Sequence, residues 1–185
     1  MLTIVAVTGM PGAGKSTAAK GLVSSGWRKV VMGDVVREET RRRGLEPDAA
    51  NTGEVMQDLR KTLGEAAVAK LCMRAIKESG TETVVVDGVR SMAEVEEFKR
   101  SARVMLLAVH ASPGRRYALL KERGRSDDPL THEMFTKRDQ RELGVGIAVP
   151  IALADEVISN EHSTPEEVSR EMTLIVNRWL ASIAP

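Results

Sequence analysis

Nine consecutive residues, Gly9-Met10-Pro11-Gly12-Ala13-Gly14-Lys15-Ser16-Thr17, set glycines, one lysine and two hydroxyls in the order G-x-x-x-x-G-K-S. Glycines let a backbone turn successive N–H groups inward, and a helix starting just after them adds its positive end, so the segment can cradle a β-phosphate. Lys15 then reaches toward β- and γ-phosphates, and Ser16 offers its hydroxyl to a magnesium ion bridging them. The pattern is a P-loop, and it implies a bound nucleoside triphosphate with Mg2+. On its own it does not distinguish a switch, a motor and a kinase.

A second magnesium partner is expected at the end of a central strand. Asp87 closes Val84-Val85-Val86 and can hold a metal-bound water; the other reading is a cap on the Asp-Gly turn that follows. Three further stretches bring arginines to places where loops should leave the C-terminal ends of strands: Met32 to Arg37, Asp87 to Arg90, and Glu122 to Asp128. The planar guanidinium grips phosphate with two hydrogen bonds, so Arg37, Arg90, Arg123 and Arg125 are candidate phosphate ligands. Arg41, Arg42 and Arg43 read as ordinary surface. His110, His132 and His162 read as structural: the end of a buried strand, the first turn of a helix, and loop surface.

These groups need a scaffold to hold them. Short apolar runs alternate with longer amphipathic ones, the order expected of a parallel sheet flanked by helices. Strands are predicted at Thr3 to Thr8, Val30 to Met32, Thr83 to Asp87, Val104 to His110 and Glu156 to Ser159. Unbroken β-branched runs such as Val84 to Val86 suit strands buried on both faces. Between Gly53 and Ser79, Met56, Leu59, Leu63, Ala67, Leu71 and Ala75 recur at helical spacing, with Gly64 as a break. Thr164-Pro165-Glu166-Glu167 supplies a cap, a first-turn proline and a capping-box glutamate ahead of the stripe Val168, Met172, Ile175, Trp179. Ser91 with Glu94 repeats the capping signal. The expected architecture is a three-layer α/β/α P-loop NTPase fold with a five-stranded parallel sheet. It forms one domain over residues 1–185, with a core of 1–122 and 143–185, acceptor-binding helices at about 34–80 and a short lid at about 123–132.

With these residues in place, the chain resembles the nucleoside monophosphate kinases, adenylate kinase above all. The resemblance implies that Arg37 and Arg90 hold the acceptor phosphate, with Asp34 near the acceptor or the metal. It makes Arg123 and Arg125 lid arginines and Arg138 the helix arginine that completes the clamp. Asp-Gly-Val-Arg is one residue shorter than the adenylate kinase form, and the lid, about seven residues from Gly124 to Leu130, is too short for a lid domain. Over nearly its whole length the chain is similar to an archaeal family of adenylate-kinase-like proteins described as dephospho-coenzyme A kinase-related. That likeness rests on Gly-Met-Pro-Gly-Ala-Gly-Lys, Val-Val-Met-Gly-Asp-Val-Val-Arg, Val-Asp-Gly-Val-Arg-Ser, Arg-Gly-Arg-Ser-Asp-Asp-Pro and Ile-Ala-Leu-Ala-Asp-Glu-Val-Ile-Ser-Asn-Glu. In such kinases the loop next to Asn160 packs on the donor adenine, which makes Asn160 a candidate there. The implied activity is transfer of the γ-phosphate of ATP to a nucleoside monophosphate or similar nucleotide. The alternative is a regulatory ATPase or switch that binds a protein or RNA partner.

Composition narrows the partners. Of 185 residues, 27 are Lys or Arg and 26 Asp or Glu, a net charge of +1, which argues against a general nucleic-acid or membrane-surface binder. Arginine outnumbers lysine 18 to 9. Residues 115–141 hold eight basic and five acidic side chains, whereas 151–185 hold two and six. The single cysteine, Cys72, excludes an intrachain disulfide and a cysteine-based zinc site, and a reducing cytoplasm is expected. Five aromatic residues are too few to build base-stacking platforms. A small nucleotide acceptor and a monomer or homodimer are the expected partners, without membrane attachment.

Overall fold

The computed structural model describes residues 1–124 and 128–183, apart from the Ala49 side chain. The elements follow in the order β1 (Thr3–Thr8), α1 (Lys15–Ala18), α2 (Lys20–Ser24), β2 (Arg28–Val31), α3 (Met32–Arg42), α4 (Ala49–Leu63), α5 (Ala67–Glu78) and β3 (Thr83–Val89). Then come α6 (Met92–Lys99), β4 (Arg103–His110), α7 (Pro113–Arg123), α8 (His132–Val145), α9 (Ala148–Ala152), β5 (Glu156–Ser159) and α10 (Pro165–Ser182). The strands form one parallel sheet in the order β2-β3-β1-β4-β5. From β1 the chain crosses to one side and later to the other, which opens a crevice at the C-terminal ends of β1, β3 and β4.

Alternation along each central strand builds the two sides. Ile4, Ala6, Val84, Val86 and Leu106 face α3, α4, α5 and α6 in one apolar cluster. Val5, Val7, Val85, Leu107 and Val109 face α1, α2 and α10 in the other. Every residue of β1 is buried, as a strand covered on both faces requires. Cys72 lies in the first cluster, and burial pushes its thiol up to about 12, leaving it protonated and inert.

Caps stop and start the helices where the sequence announces them. Gly64 takes φ 86° between α4 and α5, and both expected capping boxes form, Ser91 with Glu94 and Thr164 with Glu167. Three strands differ from expectation at their ends, β4 only by starting one residue earlier, at Arg103. The second strand begins earlier, at Arg28, and Met32 opens α3 instead of ending a strand. β2 is an edge strand, so charged Arg28 and Lys29 can pair their backbones with Val84 and Val85 while their side chains reach water. β3 also runs beyond Asp87 to Val89, because the register slips after Val7 and Gly88, at φ 105°, is left opposite no partner. The extra residue returns Val89 to the face of Val84 and Val86.

Candidate functional site

The glycines of the loop between β1 and α1 are fixed by their neighbours. At Gly9 a Cβ would lie 2.3 Å from the Val109 carbonyl oxygen, and at Gly14, with φ +98°, 2.3 Å from Asn160 Nδ2. Asn160 is buried and donates from Nδ2 to the Ala13 carbonyl at 3.0 Å. Its amide thus shapes the loop, and the side chain also lines the cavity into which the loop opens. Lys15 turns back over the loop and donates to the carbonyls of Gly9 at 2.7 Å and Met10 at 3.2 Å. Burial pushes the Lys15 ammonium down to about 8; Asp87 works in the opposite direction and Arg90 in the same one.

Ser16 and Asp87, far apart in sequence, meet here. Ser16 Oγ donates to Asp87 Oδ2 at 2.6 Å, and the Lys29 ammonium lies 3.4 Å from the same oxygen. One hydroxyl and one buried carboxylate suit magnesium, which keeps several waters and takes one or two protein ligands beside substrate phosphates. Among the described residues no group of three or more His, Cys, Asp or Glu could form an all-protein metal cage. Lys29 carried no signal in the sequence, since an edge-strand lysine looks like ordinary surface.

The loop opens into a cavity of about 500 Å³ whose lining includes Lys15, Ser16, Asp87, Arg37, Arg90, Arg115, Arg123, Arg138 and Asn160. Arg90 donates from Nε to Glu142 at 2.7 Å and from one terminal nitrogen to the Gly88 carbonyl at 3.2 Å. Burial works against the Arg90 charge, but Glu142 outweighs it and the net shift is upward. Glu142 is itself buried, and Arg90 holds it below the usual carboxylate range against the opposing effect of burial. Arg123 makes a two-pronged ion pair with buried Asp128, and Arg138 lies 3.5 Å from the same carboxylate. Arg125 falls outside the described residues.

Residues 8–133, more than half of the chain, match the family model described as an AAA domain. A UPF0200 protein of Thermococcus kodakarensis is 43% identical over 185 residues, covering 97% of this chain and 100% of that protein. One from Methanocaldococcus jannaschii is 44% identical over 164 residues, 88% of this chain and 83% of its own. The chain belongs to the UPF0200 family. Among solved structures, a Thermus thermophilus protein superposes with a TM-score of 0.66 at 20% identity, over 100% of this chain and 99% of its own. Shikimate kinase from Acinetobacter baumannii in complex with shikimate gives 0.59 at 12% identity, over 100% and 97%. At such identities the likeness is one of fold: this UPF0200 chain has the P-loop kinase-like α/β fold.

The remaining expected residues divide. Arg37 lines both the cavity and a neighbouring groove beside β2, and Asp34, paired with it one helical turn away, lines that groove. His110 ends β4 with an exposed side chain, and its carbonyl accepts from Asn160 N–H at 2.7 Å. Sequence reasoning missed a buried pair. Arg116, 3% exposed, donates to both carboxylate oxygens of Asp139 at 2.8 and 2.5 Å and to the Pro11 carbonyl at 3.1 Å, with its guanidinium 4.9 Å from the Phe135 ring centroid. It missed Glu142 as well. Both carboxylates lie on a charged helix, where nothing local separates a buried partner from a solvated one. Arg115 is a third omission: its buried Nε has no protein partner among the described residues, and the side chain lines the cavity.

Proposed function

We propose that this UPF0200 protein is an ATP- and magnesium-dependent phosphotransferase that passes the γ-phosphate to an acceptor already carrying a phosphate, a nucleoside monophosphate or a similar nucleotide. The observation that supports it is the convergence on one cavity of Lys15, the Ser16–Asp87 pair and the arginines 37, 90, 123 and 138. A binding switch needs only the loop and its metal; arginines on the facing walls suit a second anion.

In this reading Lys15 leaves the Gly9 and Met10 carbonyls for the β- and γ-phosphates, while Ser16 and Asp87 hold magnesium, which neutralises charge on the phosphate chain. Arg90 and Arg37 orient the acceptor phosphate. One of its oxygens forms the new bond to the γ-phosphorus as the bond to the ADP oxygen breaks, and Arg123, Arg138 and Arg125 neutralise the charge that spreads over the moving group. A phosphate oxygen is already ionised near neutral pH and needs no base.

The test is a coupled assay of ADP production across nucleoside monophosphates and dephospho-coenzyme A, with product phosphorylation followed directly. Transfer to one acceptor class with low turnover in its absence is expected. ATP binding without transfer to any of them overturns the reading in favour of a nucleotide-dependent switch.

A further inference from the structure

One turn of α8 holds two arginines, one bonded to the phosphate loop and one in the cavity lining. Asp139 holds Arg116, whose guanidinium also donates to Pro11 in the phosphate loop, 105 residues earlier. Glu142, three residues on and so on the same side of the helix, holds the cavity-lining Arg90 at 2.7 Å. The loop end is closely packed: a Cβ at Gly12 would lie 2.8 Å from the Arg116 carbonyl oxygen and 2.8 Å from the Leu120 side chain. Asp139 and Glu142 are thus joined to the chemistry only through other residues. Each is a positioning residue.

The contacts at the loop must change when the loop is loaded. Lys15 is bonded to the carbonyls of Gly9 and Met10, and Pro11 is the next residue. Withdrawal of the ammonium toward phosphate frees those carbonyls and alters the setting of Pro11. The Arg116–Asp139 pair resists stretching, because separating the charges leaves each desolvated and unpaired, so a guanidinium shifted through its bond to the Pro11 carbonyl carries Asp139 with it. From the structure we infer that α8 is a coupling strut: loading of the phosphate loop is transmitted through Pro11, Arg116 and Asp139 to Glu142, which sets the position of Arg90. The inference rests on nucleotide binding by the loop and holds whether or not transfer follows. Lys15 lies within electrostatic reach of both Arg90 and Glu142, which ties the same two walls by charge as well as by contact.

Hydrogen exchange on the full chain tests it, with the magnesium complex of the non-hydrolysable analogue AMP-PNP as the probe. Binding is measured separately by calorimetry. In the unaltered protein the probe should slow exchange in residues 139–145 and 88–91 by about fivefold or more, the lower end of usual coupling between sites. Because Asp139→Asn alone strands a buried guanidinium, the paired replacement Arg116→Met with Asp139→Leu removes both charges and keeps the volume filled. That variant should bind AMP-PNP yet lose the slowing in 139–145. Glu142→Gln should keep it there and lose it in 88–91. Probe binding to the unaltered protein with no slowing in α8, or undiminished slowing in the paired variant, overturns the strut. Absence of probe binding altogether overturns the nucleotide reading and the strut with it, whereas a failed transfer assay with intact slowing overturns only the transfer.

Discussion

Lys15 is bonded to two main-chain carbonyls, and burial pushes its ammonium down to about 8. Between about 8 and the ordinary lysine value, the unfolded chain binds more protons than the native one. The cost of charging Lys15 is therefore fully present below about pH 8 and is relieved as pH rises through that window. Replacing Lys15 with Met should raise the thermal stability of the empty protein at pH 7, by about 1–3 kcal/mol, while abolishing ATP binding. Calorimetry and thermal melts together check this. In the unaltered protein, ATP binding above pH 8 should take up a proton, read as a dependence of binding heat on buffer ionisation enthalpy. Gly9 makes the complementary case. Its absent side chain lets the Val109 carbonyl approach, and because backbone cannot move aside, Gly9→Ala should cost about 2–4 kcal/mol in denaturant unfolding.

At the scale of elements, the capping box of α10 borders the cleft, whose lining includes Ser163 and Pro165. Thr164→Ala removes the acceptor for the Glu167 N–H and should cost about 1 kcal/mol in unfolding free energy, read by denaturant melts. This helix was fully legible in sequence because its signals are local: cap, proline, glutamate and a stripe of four apolar residues. The same holds for the phosphate loop, whose geometry is encoded within nine residues. What stayed hidden depends on partners distant in the chain. Arg28 and Lys29 join β2 only because Val84 and Val85 are beside them, and the slip at Gly88 arises from pairing with β1. Glu142 lies 52 residues from Arg90 on a helix whose charges look alike in sequence. Arginines could be assigned to phosphate by type, but the carboxylates that hold them could not.

For the whole molecule, near neutrality is reached by local cancellation. Arg37 with Asp34, Arg90 with Glu142, Arg116 with Asp139 and Arg123 with Asp128 each close a charge at contact distance. A field quenched in this way does not extend over a Debye length, about 8–10 Å at ordinary salt. The basic stretch 115–141 should therefore bind RNA weakly and with a shallow dependence on salt. Filter binding between 50 and 200 mM salt, as an order of magnitude for the range in which phosphate binders lose affinity steeply, checks this. A steep loss would favour an RNA partner. Among the described residues no helix is long and apolar enough to cross a membrane.

The sheet also tapers. Its inner strands run to six, seven and eight residues, while the outermost, β2 and β5, have four each, and β2 opens with Arg28 and Lys29. Short rims leave few unpaired backbone groups for a strand of another copy to zip onto, and lysine or arginine along a rim repels an identical one. The long β-branched runs that make the inner strands adhesive are thereby kept from acting as templates, so crowding the native protein should not seed fibres through its sheet.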